Sequence, residues 1–262
     1  VATRAPRAEL APFIRCVWTG DGAAPTAERE RVLPTGAMHL VIRLDEPLTI
    51  YAPGPRVIGH AVIGGARATP YLRDVSRPVA SVGAQLRPGT AELLLGVPAA
   101  ALAERHTALD EIWPDVPALR ARLAEAAPAD RLAIFEAALV ARLPRVRAIH
   151  PAVAHALARF ARADDVGAVV AETGYSHRRF GTLFHHAVGL TPKRYCRVQR
   201  LQRALAVLPS QPLAAVATTA GYADQAHLTR EVRALTGLSP GELRALPPGN
   251  HVAVSGTFKT RR

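Results

Sequence analysis

Nearly the same run of residues is written twice in the second half of this 262-residue chain. "GYSHRRFGTLFHHAVGLTP" occupies 174 to 192 and "GYADQAHLTREVRALTGLSP" occupies 221 to 240, so the two Gly-Tyr pairs stand 47 residues apart. A small apolar run precedes each, "VGAVVAET" (166 to 173) and "LAAVATTA" (213 to 220). Each reads as a short helix stopped by a glycine that takes positive φ, then a turn and a second helix. Ser176 is placed to cap that second helix in one copy and Asp224 in the other. Phe180, Leu183 and Phe184 form its inward face in the first copy; Leu228 and Val232 do so in the second, where one extra residue shifts the register. A helix, a glycine turn and a helix make a helix-turn-helix, and the chain carries two, at 166–188 and 213–236. Two copies are too few to stabilise a solenoid.

Between the copies, Thr191 is an N-cap with Pro192 at the first helical position, ahead of "KRYCRVQRLQRALAVL". A helix over 192–208 is about 25 Å long at ~1.5 Å per residue. Tyr195, Val198, Leu201, Leu205 and Leu208 fall on one side of it, and Arg194, Arg197 and Arg200 elsewhere. A stiff connector of that length can hold two recognition helices in successive major-groove segments, about 34 Å apart along a duplex.

Charge follows the same division. The formal net charge is +12. Residues 147–262 hold 16 Lys and Arg against 6 Asp and Glu, whereas residues 1–146 hold 17 against 15. The second half therefore has the balance of a polyanion binder and the first does not. Apolar residues at 49% and charged residues at 21% are a folded-domain composition, and no apolar run approaches the roughly 18 residues of a membrane span. No export signal is read in residues 1–30, and Cys16 and Cys196 are too few for a disulfide framework, so the expected compartment is the cytoplasm.

The first ninety residues read as strands. "HLVIRL" (39 to 44), "LTIYA" (48 to 52), "RVIGHAVIGG" (56 to 65) and "VASVGAQL" (79 to 86) are short, rich in Val and Ile, and separated by proline and glycine breakers. They predict a small β barrel or sandwich with strands to about residue 88. Helical patterns follow over 90–143, and in the last of them Leu132, Phe135, Leu139 and Leu143 form one apolar stripe. The proline-bracketed "PRVRAIHPA" (144 to 152) reads as a linker, and 247–262 as a flexible tail. The expected class is thus α+β: a sensor or dimerisation domain over 1–146 and an all-α domain over 147–246.

From about 150 to 246 the chain resembles the DNA-binding domain of AraC/XylS-type transcription regulators. The residues that carry the likeness are "GYSHRRF", "GLTPKRY", "RLQRAL" and "GYADQAHLTREVRALTGLSP". The first half more loosely resembles the amino-terminal region of a subgroup, through "APFIRCVWTG", "RERVLPTGAMHLVIRL" and "VGAQLRPGTAELLLGVP". The resemblance implies a bacterial transcription regulator, activator or repressor, that binds double-stranded DNA; RNA polymerase, a small-molecule effector and a second copy of the chain stay open as partners.

In the second helix of each unit, the residues not facing the core are the candidate DNA contacts: Ser176, His177, Arg178, Gly181, Thr182 and His185 in one, Gln225, Ala226, His227, Thr229 and Arg230 in the other. By the resemblance, Arg178, Gly181 and Thr182, and Ala226, His227 and Arg230, match positions that reach base edges. Arginine pairs with guanine O6 and N7 in bidentate fashion, which ranks Arg178 and Arg230 first. Thr182, His185 and Arg197 are candidates for phosphate. In the first half, Trp18, Glu30, Arg31, His39 and Tyr51 are candidates for an effector pocket. No catalytic constellation, phosphate-binding loop or clustered metal-ligand spacing is found, so neither enzyme activity nor a cofactor is expected. The alternative of another class is an enzyme or DNA-repair protein that uses the helix-turn-helix domain as an anchor.

Overall fold

The computed structural model describes residues 2–22, 27–144, 148–163, 165–247 and 251–254. Two antiparallel sheets and a run of helices account for them. The strands are β1 (Ala2–Arg4), β2 (Ile14–Gly20), β3 (Arg29–Val32), β4 (His39–Arg43), β5 (Leu48–Tyr51), β6 (Pro55–Gly59), β7 (Ala61–Gly64), β8 (Tyr71–Asp74), β9 (Ser81–Leu86), β10 (His106–Ala108) and β11 (His251–Val254). The helices of the first half are α1 (Ala91–Leu95), α2 (Ala99–Leu102), α3 (Val116–Glu125) and α4 (Pro128–Val140). Those of the second are α5 (Pro151–Ala161), α6 (Val166–Glu172), α7 (His177–Val188), α8 (Pro192–Val207), α9 (Leu213–Ala220), α10 (Gln225–Thr236) and α11 (Pro240–Arg244).

The larger sheet runs β1-β2-β9-β4-β7-β10 and the smaller β11-β3-β8-β5-β6, so the sheets stay open rather than closing into a barrel. Period-2 alternation explains the layering. Leu40 and Ile42 of β4 and Val82, Ala84 and Leu86 of β9 are buried on one face, where α4 lies across β2 and β9. Leu132, Phe135 and Leu139 of the predicted stripe are buried there, and Leu143, just past the helix, is partly covered. The opposite face of the larger sheet meets the smaller one, and the rings of Tyr71 of β8 and His106 of β10 meet edge to face across the gap with centroids 4.4 Å apart. The α+β class is as expected.

The segment read as a tail needs correcting at 251–254. These residues pair antiparallel with β3 in the register His251↔Val32 and Val252↔Arg31, adding an edge strand to the smaller sheet. The physical reason is that Val252 is 5% exposed, in a recess formed with Leu205, Leu208, Leu243 and Leu246, so burial accompanies the ladder. The rest of the expected tail, 248–250 and 255–262, and the expected boundary at 146–147 lie outside the described residues. One hydrophobic core runs without a break from Leu10 and Leu40 through Ala99 and Leu102 to Val188, Leu201 and Leu235.

Candidate DNA-binding surface

Each unit is built by local signals that the chain repeats. Gly174 and Gly221 take φ of +73° and +83° after α6 and α9, where a side chain would be strained. Ser176 Oγ then accepts from the Arg179 amide at 3.3 Å, and Asp224 Oδ1 from the His227 amide at 2.6 Å, capping α7 and α10. Gly189 and Gly237, both at positive φ, end those helices. Thr191 caps α8, with Pro192 first in the helix. Phe184 stands 5.7 Å from each of Phe160, Phe180 and Tyr195, so one aromatic cluster joins α5, α7 and α8.

With Phe180, Phe184 and Val188 buried, α7 turns Arg178, Gly181, Thr182 and His185 to one outer face. Ser176, His177, Arg178 and Thr182 are exposed and His185 is half-buried. A surface recess of about 480 Å³ lies along this helix, lined by Ser176, Arg178, Arg179, Thr182, Leu183 and His186. On α10, Gln225, Ala226 and Arg230 are exposed while Leu228, Val232 and Leu235 are buried. Among the described residues, neither Arg178 nor Arg230 has a side-chain hydrogen bond or ion pair, so both guanidinium groups face solvent with their donors uncommitted. Thr229 is half-buried and its hydroxyl donates to the Gln225 carbonyl at 2.8 Å.

Two candidates are placed otherwise than the sequence suggests. His227 stacks edge-on against Tyr222 at 5.4 Å, and its Nδ1 accepts from the Ala223 amide at 3.3 Å, so its ring braces the turn. Arg197 faces Glu231 of α10 with two parallel hydrogen bonds of 2.8 and 3.0 Å. A guanidinium held in that fork is spoken for by protein rather than by phosphate.

The five effector candidates separate by strand parity. Trp18, Glu30 and His39 face the space between the sheets. Trp18 lies over Gly83, where a Cβ would fall 2.2 Å from the indole, and stands 6.1 Å from His39. Glu30 pairs with Arg73 at 2.6 Å and lies 3.0 Å from His251 Nδ1. Tyr51 and Arg31 point the other way. The Tyr51 hydroxyl donates to Asp74 at 2.9 Å beneath the Arg29 guanidinium, and Arg31 reaches the helical half. Around the inter-sheet space, burial, with Arg67, Arg73 and His39 adding repulsion, pushes the His106 imidazole down to about 3. Burial, then His251 and Arg73, takes His39 down to about 4. Burial works against Glu30, yet the hydrogen bond from His251 and the charge of Arg73 bring it down to about 2.

Two family models match the chain, one in each half, and leave residues 109–168 between them. Residues 169–245 match the family model of a helix-turn-helix domain. The chain carries an AraC-type helix-turn-helix domain. Residues 2–108 match a domain of unknown function, DUF6597. No curated protein matches the chain. Among solved structures, it is similar to a transcriptional regulator with an AraC-type DNA-binding domain from Chromobacterium violaceum (23% identity, 36% of this chain and 90% of that one, TM-score 0.34). It is also similar to a probable AraC family transcriptional regulator from Rhodopseudomonas palustris (24% identity, 37% and 96%, TM-score 0.33). An apo variant of ToxT from Vibrio cholerae aligns over 87% of this chain and 97% of its own at 6% identity, with a TM-score of 0.49. A helix-turn-helix domain over residues 169–245 supports DNA binding.

The first half grips that AraC-type domain at polar and charged points that local sequence patterns do not reveal. Glu92 of α1 pairs with His186 of α7 at 3.0 Å. Glu104, whose carboxylate also accepts from the Ala68 amide and the Thr69 hydroxyl, pairs with Arg194 of α8 at 2.7 Å. Gln202 donates to the Pro34 carbonyl at 2.8 Å. The partners lie 90 to 168 residues apart, beyond the reach of any helical or strand period.

Proposed function

We propose that the protein regulates transcription by reading two adjacent segments of a duplex, α7 in one major-groove segment and α10 in the next, with Arg178 and Arg230 as the principal base readers. The observation that carries this reading is that each recognition helix presents one uncommitted arginine on the face opposite its buried residues. Thr182, Gln225 and Ala226 flank those arginines as further base or methyl contacts, and Ser176, His177 and His185 serve the phosphates. Residues 1–146 form the sensing half and 147–246 the reading half. An effector enters the inter-sheet space near Trp18, Glu30 and His39. Arg43, Arg67 and Arg73 border that space, with Glu30, Asp74, Glu46 and Glu104 as opposing charges near them, which favours a polar ligand over an apolar one. Such a ligand regulates only by binding two states of the chain unequally.

The test is a selection from random duplexes with the full chain at near-physiological salt. Two enriched blocks about one helical turn apart are expected. Arg178→Ala should relax one block and Arg230→Ala the other, each by roughly 1–3 kcal/mol of discrimination at a base pair. Enrichment of a single block, or of none, would show that the two helices do not read DNA together.

A further inference from the structure

Strand β3 carries two neighbouring side chains to opposite sides, as the pleat requires. Glu30 lies in the inter-sheet space with Arg73 and His251. Arg31 points the other way, and its Nη1 donates to the Thr236 carbonyl at 2.8 Å in buried surroundings. Thr236 is the last residue of α10, the second recognition helix, so its carbonyl is one of those left without a partner inside the helix. Its own hydroxyl is occupied within the turn, donating to the Val232 carbonyl at 2.8 Å, and the carbonyl is left to Arg31. A cation there also meets the negative end of the helix dipole.

The residues around this contact are shaped to it. Gly237 follows Thr236 at φ +76°, and a Cβ on it would fall 2.2 Å from Arg31 Nη1. The glycine therefore both ends the helix and makes room for the guanidinium. Arg31 is 8% exposed, and Val252 of β11, paired opposite it, is buried against Leu205, Leu208 and Leu243 of the helical half. The outer face of β3 is thus wedged between β11 and the end of α10.

We propose that Arg31 is a positioning residue for DNA reading, fixing the C-terminal end of α10 to the sheet of the first half so that the base preference of the second unit depends on β3. Because Glu30 sits one residue away on the other face of the same strand, displacement of the Glu30–Arg73–His251 cluster shifts the anchor on α10 while leaving α7 in place. This inference rests on the reading of α10 as a DNA-reading helix.

The experiment is the same duplex selection on the full chain, comparing Arg31→Met, Arg31→Lys, Arg178→Ala and Arg230→Ala, with thermal melting of each. The two alanine variants identify which block belongs to which helix. Arg31→Met is expected to lose about tenfold in preference at the α10 block, the equivalent of one charge-assisted hydrogen bond, with the α7 block kept. Arg31→Lys, which retains a charged donor, should recover part of that loss. Unchanged preference in Arg31→Met, or equal loss at both blocks, overturns the proposal while leaving the reading of α10 intact. If Arg230→Ala relaxes neither block, the reading itself fails and takes the proposal with it. Should Arg31→Met not fold, Arg31→Lys decides alone: a loss confined to the α10 block supports the anchor, and no loss or an equal loss at both blocks removes it.

Discussion

Arg197 of the connecting helix and Glu231 of the second recognition helix meet through two parallel hydrogen bonds, 2.8 and 3.0 Å long. The pair ties α8 to α10 and takes up the guanidinium that the sequence offers as a phosphate contact. Arg197→Ala should therefore lower stability by roughly 1 kcal/mol and leave the salt dependence of DNA binding unaltered. A residue that touches phosphate would instead reduce the slope of log affinity against log salt by about one on removal. Affinities at four or five salt concentrations separate the two, and adding Glu231→Ala should then cost almost nothing more.

Gly181 sits inside α7, and beyond its chain neighbours and the helix's own backbone nothing lies within 4 Å of where a Cβ would stand. Helical glycine is destabilising against alanine by roughly 0.5–1 kcal/mol. Gly181→Ala should raise the melting temperature without disturbing the core. Since the added methyl lies on the outer face with Arg178 and Thr182, the selection should also report a new or altered preference in the α7 block. A lower melting temperature would mean that the outer face of α7 is more crowded than its geometry implies.

Gly237 is the opposite case. Alanine there meets both the left-handed backbone at φ +76° and the Arg31 guanidinium. Gly237→Ala should destabilise the chain by about 1 kcal/mol or more from the backbone alone. Combined with Arg31→Met, which removes the clash, part of the loss should return. Denaturant unfolding of the single and double variants measures that recovery, and strict additivity would place the strain elsewhere.

The sheet half should weaken in mild acid. His39 and His106 stay neutral in the fold down to about 4 and about 3, against 6.5 in an unfolded chain. Arg73 and His251 face His39, whose Nε2 lies 3.2 Å from the Gln85 amide; Arg67, Arg73, Tyr71 and His39 face His106. The unfolded state binds protons that the folded state refuses, so the stability these groups supply is full above about pH 6.5 and is lost as pH falls toward their folded values. Glu30, held at about 2 against 4.5, adds a loss in the same direction below about pH 4.5. Urea midpoints should hold from pH 7.5 to about 6.5 and then fall steadily to pH 4, and His39→Asn should flatten part of the curve. A flat profile over that range would show that these imidazoles are not held neutral.

The double helix-turn-helix was legible because everything that builds it is local. Gly174, Gly189, Gly221 and Gly237 need positive φ, Ser176, Thr191 and Asp224 cap within three residues, and the buried stripes recur every three or four. The strands of the first half were legible as strands for the same reason, through alternation and breakers. Their arrangement was not, since the same alternation serves a closed barrel or two open sheets.

The placements of Val252, Tyr51, Arg31 and Arg197 were decided by the tertiary structure alone. Val252 looks like any valine in a polar tail until β3 offers an unpaired edge and the helical half a recess beside it. Tyr51 and Arg31 look like pocket residues until pairing sets which face of the strand each occupies, and one step of parity turns them away from Trp18, Glu30 and His39. Arg31 and Thr236 are 205 residues apart, and Arg197 and Glu231 belong to different helices. Local chemistry determines where this chain turns, caps and buries; which charge is left free for DNA depends on partners that only folding brings within 3 Å.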